Sequence, residues 1–190
     1  MPDYIVSVMA RDRAGIVAGV SSALYDLGAN ITHLNQTVVR GYFTIILSAS
    51  LPEGVEIETV RRRVESAGSP GELQAVVAPY APVPPAVAGG GEAFILAVLG
   101  RDRPGIIARV TGYLAEQGIN IEEFTANVVE GNLVLILSVR VPASLDIAGV
   151  QSAIEAVGQE FGITASLQHE NVFRATSEVH AVARLRSARR

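Results

Sequence analysis

The segment Arg11-Asp12-Arg13-Ala14-Gly15-Ile16 returns 90 residues later as Arg101-Asp102-Arg103-Pro104-Gly105-Ile106. The same offset then continues without a gap, pairing Gly28 with Gly118, Asn30 with Asn120, Gly41 with Gly131 and Pro52 with Pro142. A repeat of this length exceeds the roughly 20–50 residues of solenoid units, so each copy is expected to have its own hydrophobic core. The sequence therefore predicts one small domain that is present twice.

The composition excludes several classes of chemistry. Hydrophobic residues make up 49% and charged residues 18% of the 190 residues, and the formal net charge is −4. There is no cysteine, which excludes disulfides, thiolate metal sites and cysteine nucleophiles. All fifteen basic residues are arginine, which excludes a lysine Schiff base and a lysine-containing phosphate loop.

The apolar stretches are too short for the roughly 20 residues of a membrane span. Met1-Pro2-Asp3 also leads directly into a predicted strand rather than into a signal peptide. We therefore expect no membrane association and a cytoplasmic location.

Hydrophobic periodicity predicts the same six elements in each copy. Gly28 and Gly118 are predicted to end the first helices in a left-handed conformation, and Gly41 and Gly131 to form hairpin turns. The elements are strands Tyr4–Met9 and Phe94–Leu99, helices at Ile16–Leu27 and Ile106–Leu114, strands Ile31–Val39 and Ile121–Val129, strands Tyr42–Ser50 and Leu133–Val141, helices Ile57–Ala67 and Ile147–Phe161, and strands Glu72–Ala78 and Thr164–His169. This βαββαβ order predicts an α+β protein of two tandem ferredoxin-like domains. Each domain is expected to have an antiparallel sheet with both helices on one face.

The second strands show an alternating pattern. Leu34 and Val38 alternate with His33, Asn35 and Thr37, so the polar side chains are expected to point away from the helices. The corresponding apolar positions of the second copy are Phe124, Ala126 and Val128. The open sheet face and the exposed edges favour pairing between copies and then between chains, so we expect a homodimer or a compact chain with the two copies paired.

Four segments are predicted along the chain: a first domain at 1–80, a Pro/Gly linker at 81–92, a second domain at 93–170 and a basic tail at 171–190. Gly89–Gly91 precedes a strand and not a helix, so a hinge is favoured over a phosphate cradle. The tail is expected to be a disordered end; the alternative is a basic amphipathic helix that docks on an acidic partner. Its charged residues are Arg174, Arg184, Arg186, Arg189, Arg190 and Glu178.

The junction between the first strand and the first helix is the candidate binding site in each copy. Asp12 and Asp102 are expected to be helix N-caps, and Gly15 and Gly105 to leave the unpaired backbone N–H groups of the helix start accessible to an anion. With Asn30 or Asn120 as a further polar partner, this arrangement suits an α-amino acid. The alternative is that these residues only start and end a helix.

Other polar clusters carry weaker signals. His33, His169 and His180 share no ligand spacing, so no metal site is expected. Glu122 and Glu123 are neighbours in a predicted strand and should face opposite sides, which argues against an acid/base pair; Glu123 is a candidate partner for a ligand ammonium. Arg61-Arg62-Arg63 lies among glutamates in a predicted helix and is interpreted as a solvated face. With an acidic body and no helix-turn-helix, sequence-specific nucleic-acid binding is not expected.

The combination of Arg-Asp-Arg-Pro-Gly-Ile after a strand and Gly-Ile-Asn-Ile at the helix exit resembles the ACT domain, over nearly the whole of both copies. Two such domains without a catalytic partner most resemble the glycine cleavage system transcriptional repressor group. The resemblance implies side-by-side sheets, no cofactor, a regulatory protein partner and a small effector, an amino acid such as glycine or serine, at a domain or subunit interface. It assigns ligand binding to Asp12, Arg13, Ala14, Gly15, Ile16, Asn30 and Ile31, and to Asp102, Arg103, Pro104, Gly105, Ile106, Asn120 and Ile121. Ala14 departs from the family proline, which puts equal binding by the two copies in doubt.

Three functions are compatible with this resemblance. The first is a non-enzymatic sensor that binds a metabolite and signals to a partner. The second is a ligand-free oligomerisation scaffold. The third is an enzyme, because similar motifs precede the catalytic domains of formyltetrahydrofolate deformylase and phosphoserine phosphatase. About twenty residues follow the second copy, too few for a catalytic domain, so a sensor is expected.

Overall fold

The computed structural model describes residues 1–82 and 91–175. The chain divides into two compact units, a first unit of Met1–Pro84 and a second unit of Pro85–Arg190. Within the described residues no helix is long and apolar enough to cross a membrane. Most of the predicted linker and residues 176–190 of the predicted tail lie outside the described residues, so their roles and the domain boundaries stay predictions.

The first unit consists of a four-stranded antiparallel sheet and two helices. Its elements are β1 (Asp3–Arg11), α1 (Ile16–Asp26), β2 (Asn30–Val39), β3 (Tyr42–Ser50), α2 (Ile57–Glu65) and β4 (Gln74–Pro79). The strand order is β2-β3-β1-β4, so β1 is a central strand and β2 an edge. The register places Val8 of β1 between Ile45 of β3 and Ala75 of β4.

Alternation in the strands explains where the core of the first unit lies. Val6, Val8 and Ala10 of β1 are buried, whereas the intervening positions reach the other sheet face. The same period places buried residues at alternate positions of β3. The helices complete this core with Ile16, Val20 and Leu24 from α1 and Val60 and Val64 from α2.

The second unit repeats this architecture. Its elements are β5 (Glu92–Arg101), α3 (Ile106–Glu116), β6 (Asn120–Val129), β7 (Asn132–Val141), α4 (Ile147–Phe161) and β8 (Thr164–His169), with strand order β6-β7-β5-β8. Residues 170–175 form a further helical segment, so the expectation of a disordered tail is wrong for residues 171–175. The two βαββαβ units confirm the predicted fold class. Gly28 at φ 73° and Gly118 at φ 66° follow the C-cap residues of α1 and α3 in the predicted left-handed conformation.

The edge strands β2 and β6 differ from the alternating pattern. The register of β2 against β3 places His33, Asn35 and Thr37 on the face away from the helices, as predicted. The opposite side chains are also exposed, however, with Leu34 at 45% and Val38 at 43%. Phe124 and Val128 of β6 are exposed in the same way. Alternation thus predicted the direction of these side chains but not their exposure, because the two helices do not cover the edge strand.

The structure predicts a large difference between two neighbouring residues of β3. Leu47→Ala removes a side chain that is 2% exposed and is expected to lower the free energy of unfolding of the first unit by about 2–5 kcal/mol. Ile46→Ala, on the open face and 52% exposed, is the control, with an expected loss below about 1 kcal/mol. Urea denaturation followed by NMR signals of the first unit measures both, and equal losses would contradict the assignment of the core face.

Candidate functional site

The loop between the central strand and the first helix has the same conformation in both units. α1 and α3 are capped by Gly15 at φ 90° and Gly105 at φ 95°, without a side-chain cap hydrogen bond. The prediction that Asp12 and Asp102 are N-caps was therefore wrong. The cap is a glycine because the chain needs a left-handed residue before it turns back over the sheet, and glycine adopts that conformation at little cost.

Backbone hydrogen bonds hold the start of each loop against the neighbouring hairpin. The N–H of Asp12 donates to the carbonyl of Gly41 at 2.9 Å, and the N–H of Asp102 donates to the carbonyl of Gly131 at the same distance. Pro104 lies in this turn, before the first helical residue Ile106. The loops are thus fixed at both ends, by the hairpin and by the helix.

A cavity of about 520 Å³ borders the loop in the first unit. Asp12, Arg13 and Gly15 line it together with the helix start, residues 16–18. The first intrahelical bond runs from the N–H of Gly19 to the carbonyl of Gly15, so the N–H groups of residues 16–18 precede the helix ladder. These groups carry the partial positive charge of the helix N-terminus, which favours an anionic ligand group.

Gln36 is a lining residue that the sequence analysis did not single out. It lies on β2 between Leu34 and Val38, on the sheet face that carries the helices, and Phe43 lies beside it in the cavity wall. The signal for it was available, because a polar residue interrupts an apolar face at that position. Its counterpart by the 90-residue offset is Ala126, so the second unit lacks this amide.

The guanidinium of Arg13 forms an ion pair with Glu72, a residue that was predicted to start the last strand. Glu72 instead lies in the turn before β4, and its second carboxylate oxygen accepts a 2.7 Å hydrogen bond from the N–H of Ser69. The bonds from Arg13, and then from Ser69, lower the pKa of Glu72 from an ordinary 4.5 to about 2. No sequence signal connected these residues, because they are far apart in the chain.

The surroundings of the loop differ in the second unit. Among the described residues no carboxylate forms an ion pair with Arg103, the counterpart of Arg13. The ring of Phe161 lies beside the loop, 3.8 Å from the position that a Cβ would take at Gly105. Arg109 at the start of α3 pairs with Glu160 at 3.1 Å. The second loop therefore has an aromatic neighbour where the first has a charged pair.

The predicted site residues form two separate groups within each unit. Asn30 and Ile31 begin β2 after the end of α1, and Asn120 and Ile121 begin β6 after α3. The loops lie at the other ends of these helices, and eleven residues at 1.5 Å each separate the two ends by about 16 Å. A ligand of amino-acid size cannot reach both groups within one unit.

A β-bulge changes the predicted orientation of Glu122 and Glu123. The register of β6 shifts between Ile121 and Glu123, and Glu122 pairs with Arg140 at 2.6 Å on the open face, where Glu123 also lies opposite Ser138. The prediction that the two glutamates face opposite sides was therefore wrong, because a bulge places two successive side chains on one side. Glu122 is held in an ion pair, so the two glutamates do not form a free carboxylate pair.

The remaining candidates are placed as follows. Arg61 pairs with Glu58 and Glu65 on α2, as expected for a solvated helix face. His33 contacts the hydroxyl of Ser48 at 3.3 Å, and His169 packs edge-on against Phe94. His180 lies outside the described residues. Within those residues there is no group of three or more potential metal ligands.

The fold and the glycine-capped loop place each unit in the ferredoxin-like class of α+β domains. Two family models, both described as the ACT domain, match residues 4–68 and 92–168. The chain belongs to the ACT domain family and contains two such domains in tandem.

Individual relatives and solved structures agree with this family. A UPF0237 protein of Methanosarcina acetivorans is 37% identical over 82 residues, which are 43% of this chain and 89% of that protein. The crystal structure of an unknown protein from Galdieria sulphuraria matches with a TM-score of 0.72 and 28% identity, over 88% of this chain and 98% of the other. A candidate glycine cleavage system transcriptional repressor matches with a TM-score of 0.60 over 88% and 96% of the two chains; at 18% identity this similarity concerns the fold.

The Arg13–Glu72 pair predicts a specific pH dependence. Because the folded-state pKa of Glu72 lies below its ordinary value, the pair stabilises the fold above pH 4.5, and this contribution is lost as the pH falls towards 2. Carboxyl ¹³C NMR is expected to give a midpoint of about 2 for Glu72 in the wild type. In Arg13→Gln the midpoint is expected to move up towards 4.5, and a wild-type midpoint already near 4.5 would contradict the ion pair.

Proposed function

We propose that this protein is a non-enzymatic regulatory sensor that binds a small metabolite at its ACT domains and signals to a partner protein. The observation that carries the proposal is the pair of glycine-capped loops, each at the N-terminus of an eleven-residue helix. The backbone N–H groups at each helix start are fixed in position before any ligand arrives, which lowers the entropic cost of binding. The family membership supports a regulatory role for such a site.

The chemistry of the loop favours an α-amino acid, such as glycine or serine, as the effector. Its carboxylate would accept from the N–H groups at the helix start, where the helix dipole contributes about 0.3–1 kcal/mol. The loop residues of the first site are Asp12, Arg13, Ala14, Gly15 and Ile16, and those of the second are Asp102, Arg103, Pro104, Gly105 and Ile106. The aspartates are available to accept from the ligand ammonium.

The helix-exit residues would complete the site from another ACT domain. Asn30 and Asn120 are separated from the loop of their own domain by the length of an eleven-residue helix, about 16 Å, which is too far for one small ligand. The edge strands that begin at these residues are exposed over nearly their full length on both faces, which supports pairing of domains through them. A homodimer would supply such pairs, with the effector at the interface.

The ionisable groups do not favour an enzyme. Among the described residues, a charged neighbour clearly shifts the pKa only of surface arginines and glutamates. These side chains are held in ion pairs such as Arg61–Glu58, Arg109–Glu160 and Arg140–Glu122. At the cavity of the first unit, the ion pair with Arg13 lowers the pKa of Glu72 to about 2, too low for a general acid or base that works at neutral pH. A ligand-free scaffold is the second candidate function, favoured by the exposed edge strands.

A ligand screen separates a sensor from a scaffold. A molecule with five to ten heavy atoms is expected to bind in the micromolar to millimolar range. Thermal shift against the twenty amino acids, followed by calorimetry, is expected to identify at least one ligand. The absence of any ligand would favour the scaffold.

Asparagine substitutions test whether the helix exit belongs to the binding site. Asn120→Ala removes an exposed side chain at the start of β6 and is expected to weaken amino-acid binding about tenfold without lowering the melting temperature. Asn127→Ala, on the open face of the same strand, is the matched control and is expected to bind normally. Equal loss of stability and affinity in Asn120→Ala would instead assign Asn120 to the helix exit alone.

A further inference from the structure

The turn that carries Glu72 is found in the first unit and not in the second. Helix α2 ends at Glu65, whereas α4, which starts at the equivalent position, continues to Phe161. Pro70 prevents α2 from extending as far as α4 does, because proline disfavours helical conformation in the preceding residue, Ser69, and cannot donate a hydrogen bond. The residues that would have extended the helix form a turn instead.

This turn fixes the position of the Glu72 carboxylate. The N–H of Glu72 donates to the carbonyl of Ser69 at 2.9 Å, and the N–H of Ser69 donates to the Glu72 carboxylate at 2.7 Å. The carboxylate also lies over Gly68, where a Cβ would come within 2.8 Å of its oxygen. Ser69 therefore holds the Glu72 side chain, and Gly68 leaves room for it.

The Glu72 carboxylate forms an ion pair with the guanidinium of Arg13 in the first loop. Arg13 donates through Nε to Glu72, and through Nη1 to the carbonyl of Ala14 at 3.1 Å. Both Arg13 and the helix start line the same cavity, so a carboxylate ligand entering there would meet an arginine that is already paired. It would also meet the negative charge of Glu72, which opposes a second anion at close range.

The second unit has no equivalent of this carboxylate. The 90-residue offset aligns β4 with β8 and places Gly162 where the first unit has Glu72. Gly162 ends α4 at φ 67° and offers no side chain to Arg103. The second loop thus keeps its arginine without a carboxylate partner among the described residues, next to the Phe161 ring.

We propose that Glu72 is a specificity-determining residue that closes the first loop to carboxylate ligands, so that the second ACT domain is the effector site of the chain. This inference rests on the proposed function, because it assumes that a ligand carboxylate binds at the loops. The early end of α2 at Ser69-Pro70-Gly71 is then a feature that makes the two duplicated sites unequal.

Glycine titrations followed by ¹H–¹⁵N NMR of the full chain test the proposal, with the amides of Gly15 and Gly105 reporting on the two loops. In the wild type, glycine is expected to shift Gly105 and to leave Gly15 unchanged over the same concentrations. In Glu72→Gln, the affinity measured at Gly15 is expected to increase by about fivefold, the upper range for an exposed ion pair. Glutamine keeps an oxygen for the N–H of Ser69, so the turn is retained while the charge is removed.

Glu58→Gln is the matched control. It removes the Glu58 carboxylate from its exposed ion pair with Arg61 on α2, which involves no loop residue of either unit, and is expected to change neither affinity. Equal responses of Gly15 and Gly105 in the wild type would overturn the role of Glu72 while leaving the proposed function intact. An unchanged Gly15 in Glu72→Gln, with Gly105 responding, would also overturn it. No response of Gly105 in any variant would overturn the proposed loop site itself, and this inference with it.

Discussion

Each central strand must give way within a few residues to a helix that runs back over the sheet, and a glycine at positive φ makes this reversal possible. Gly15 and Gly105 adopt φ values of 90° and 95°, which other residues reach only with strain. The reversal brings Ile16 and Ile106 onto the sheet as the first buried residues of their helices. The same geometry directs the first N–H groups of each helix away from the core, so one constraint serves both the packing and the candidate binding site.

The duplication preserved this constraint while the surroundings of the loops diverged. The 90-residue offset holds at both ends of each domain. Between these ends, however, α2 ends before the segment Ser69-Pro70-Gly71, whereas α4 continues to Phe161. Once the two domains are aligned, α4 is six residues longer than α2 at its C-terminal end. The early end moves a glutamate beside the first loop, and the longer helix moves a phenyl ring beside the second. The strands on either side kept their register, so the difference between the two domains is confined to the residues beside the loops.

The sequence predicted the fold well because the fold depends on local patterns. Alternation in β1 and β3, helical spacing from Ile16 onwards and glycines after each helix are all visible within short windows. The N-cap at Asp12 was wrong because the preference for aspartate at caps is weaker than the need for a left-handed residue at Gly15. The orientation of Glu122 was wrong because a β-bulge leaves no distinct signal in one sequence.

The site was less predictable than the fold because it depends on contacts between distant segments. Gln36 could have been noticed as a polar residue on an apolar face, but the pairing of Arg13 with Glu72 required the positions of the turn and the loop together. Exposure of the edge strands likewise depends on where the helices stop covering the sheet, which periodicity does not encode. The repeat alone therefore did not predict the roles of the residues that differ between the two copies.

The most direct test of the sensor assignment is a crystal structure of the full chain grown with the amino acid that raises its melting temperature most. The account predicts the ligand carboxylate within hydrogen-bond distance of the N–H groups at the start of α3, beside Gly105 and Arg103. Electron density for the amino acid elsewhere on the domain, with the α3 loop unoccupied, would contradict it.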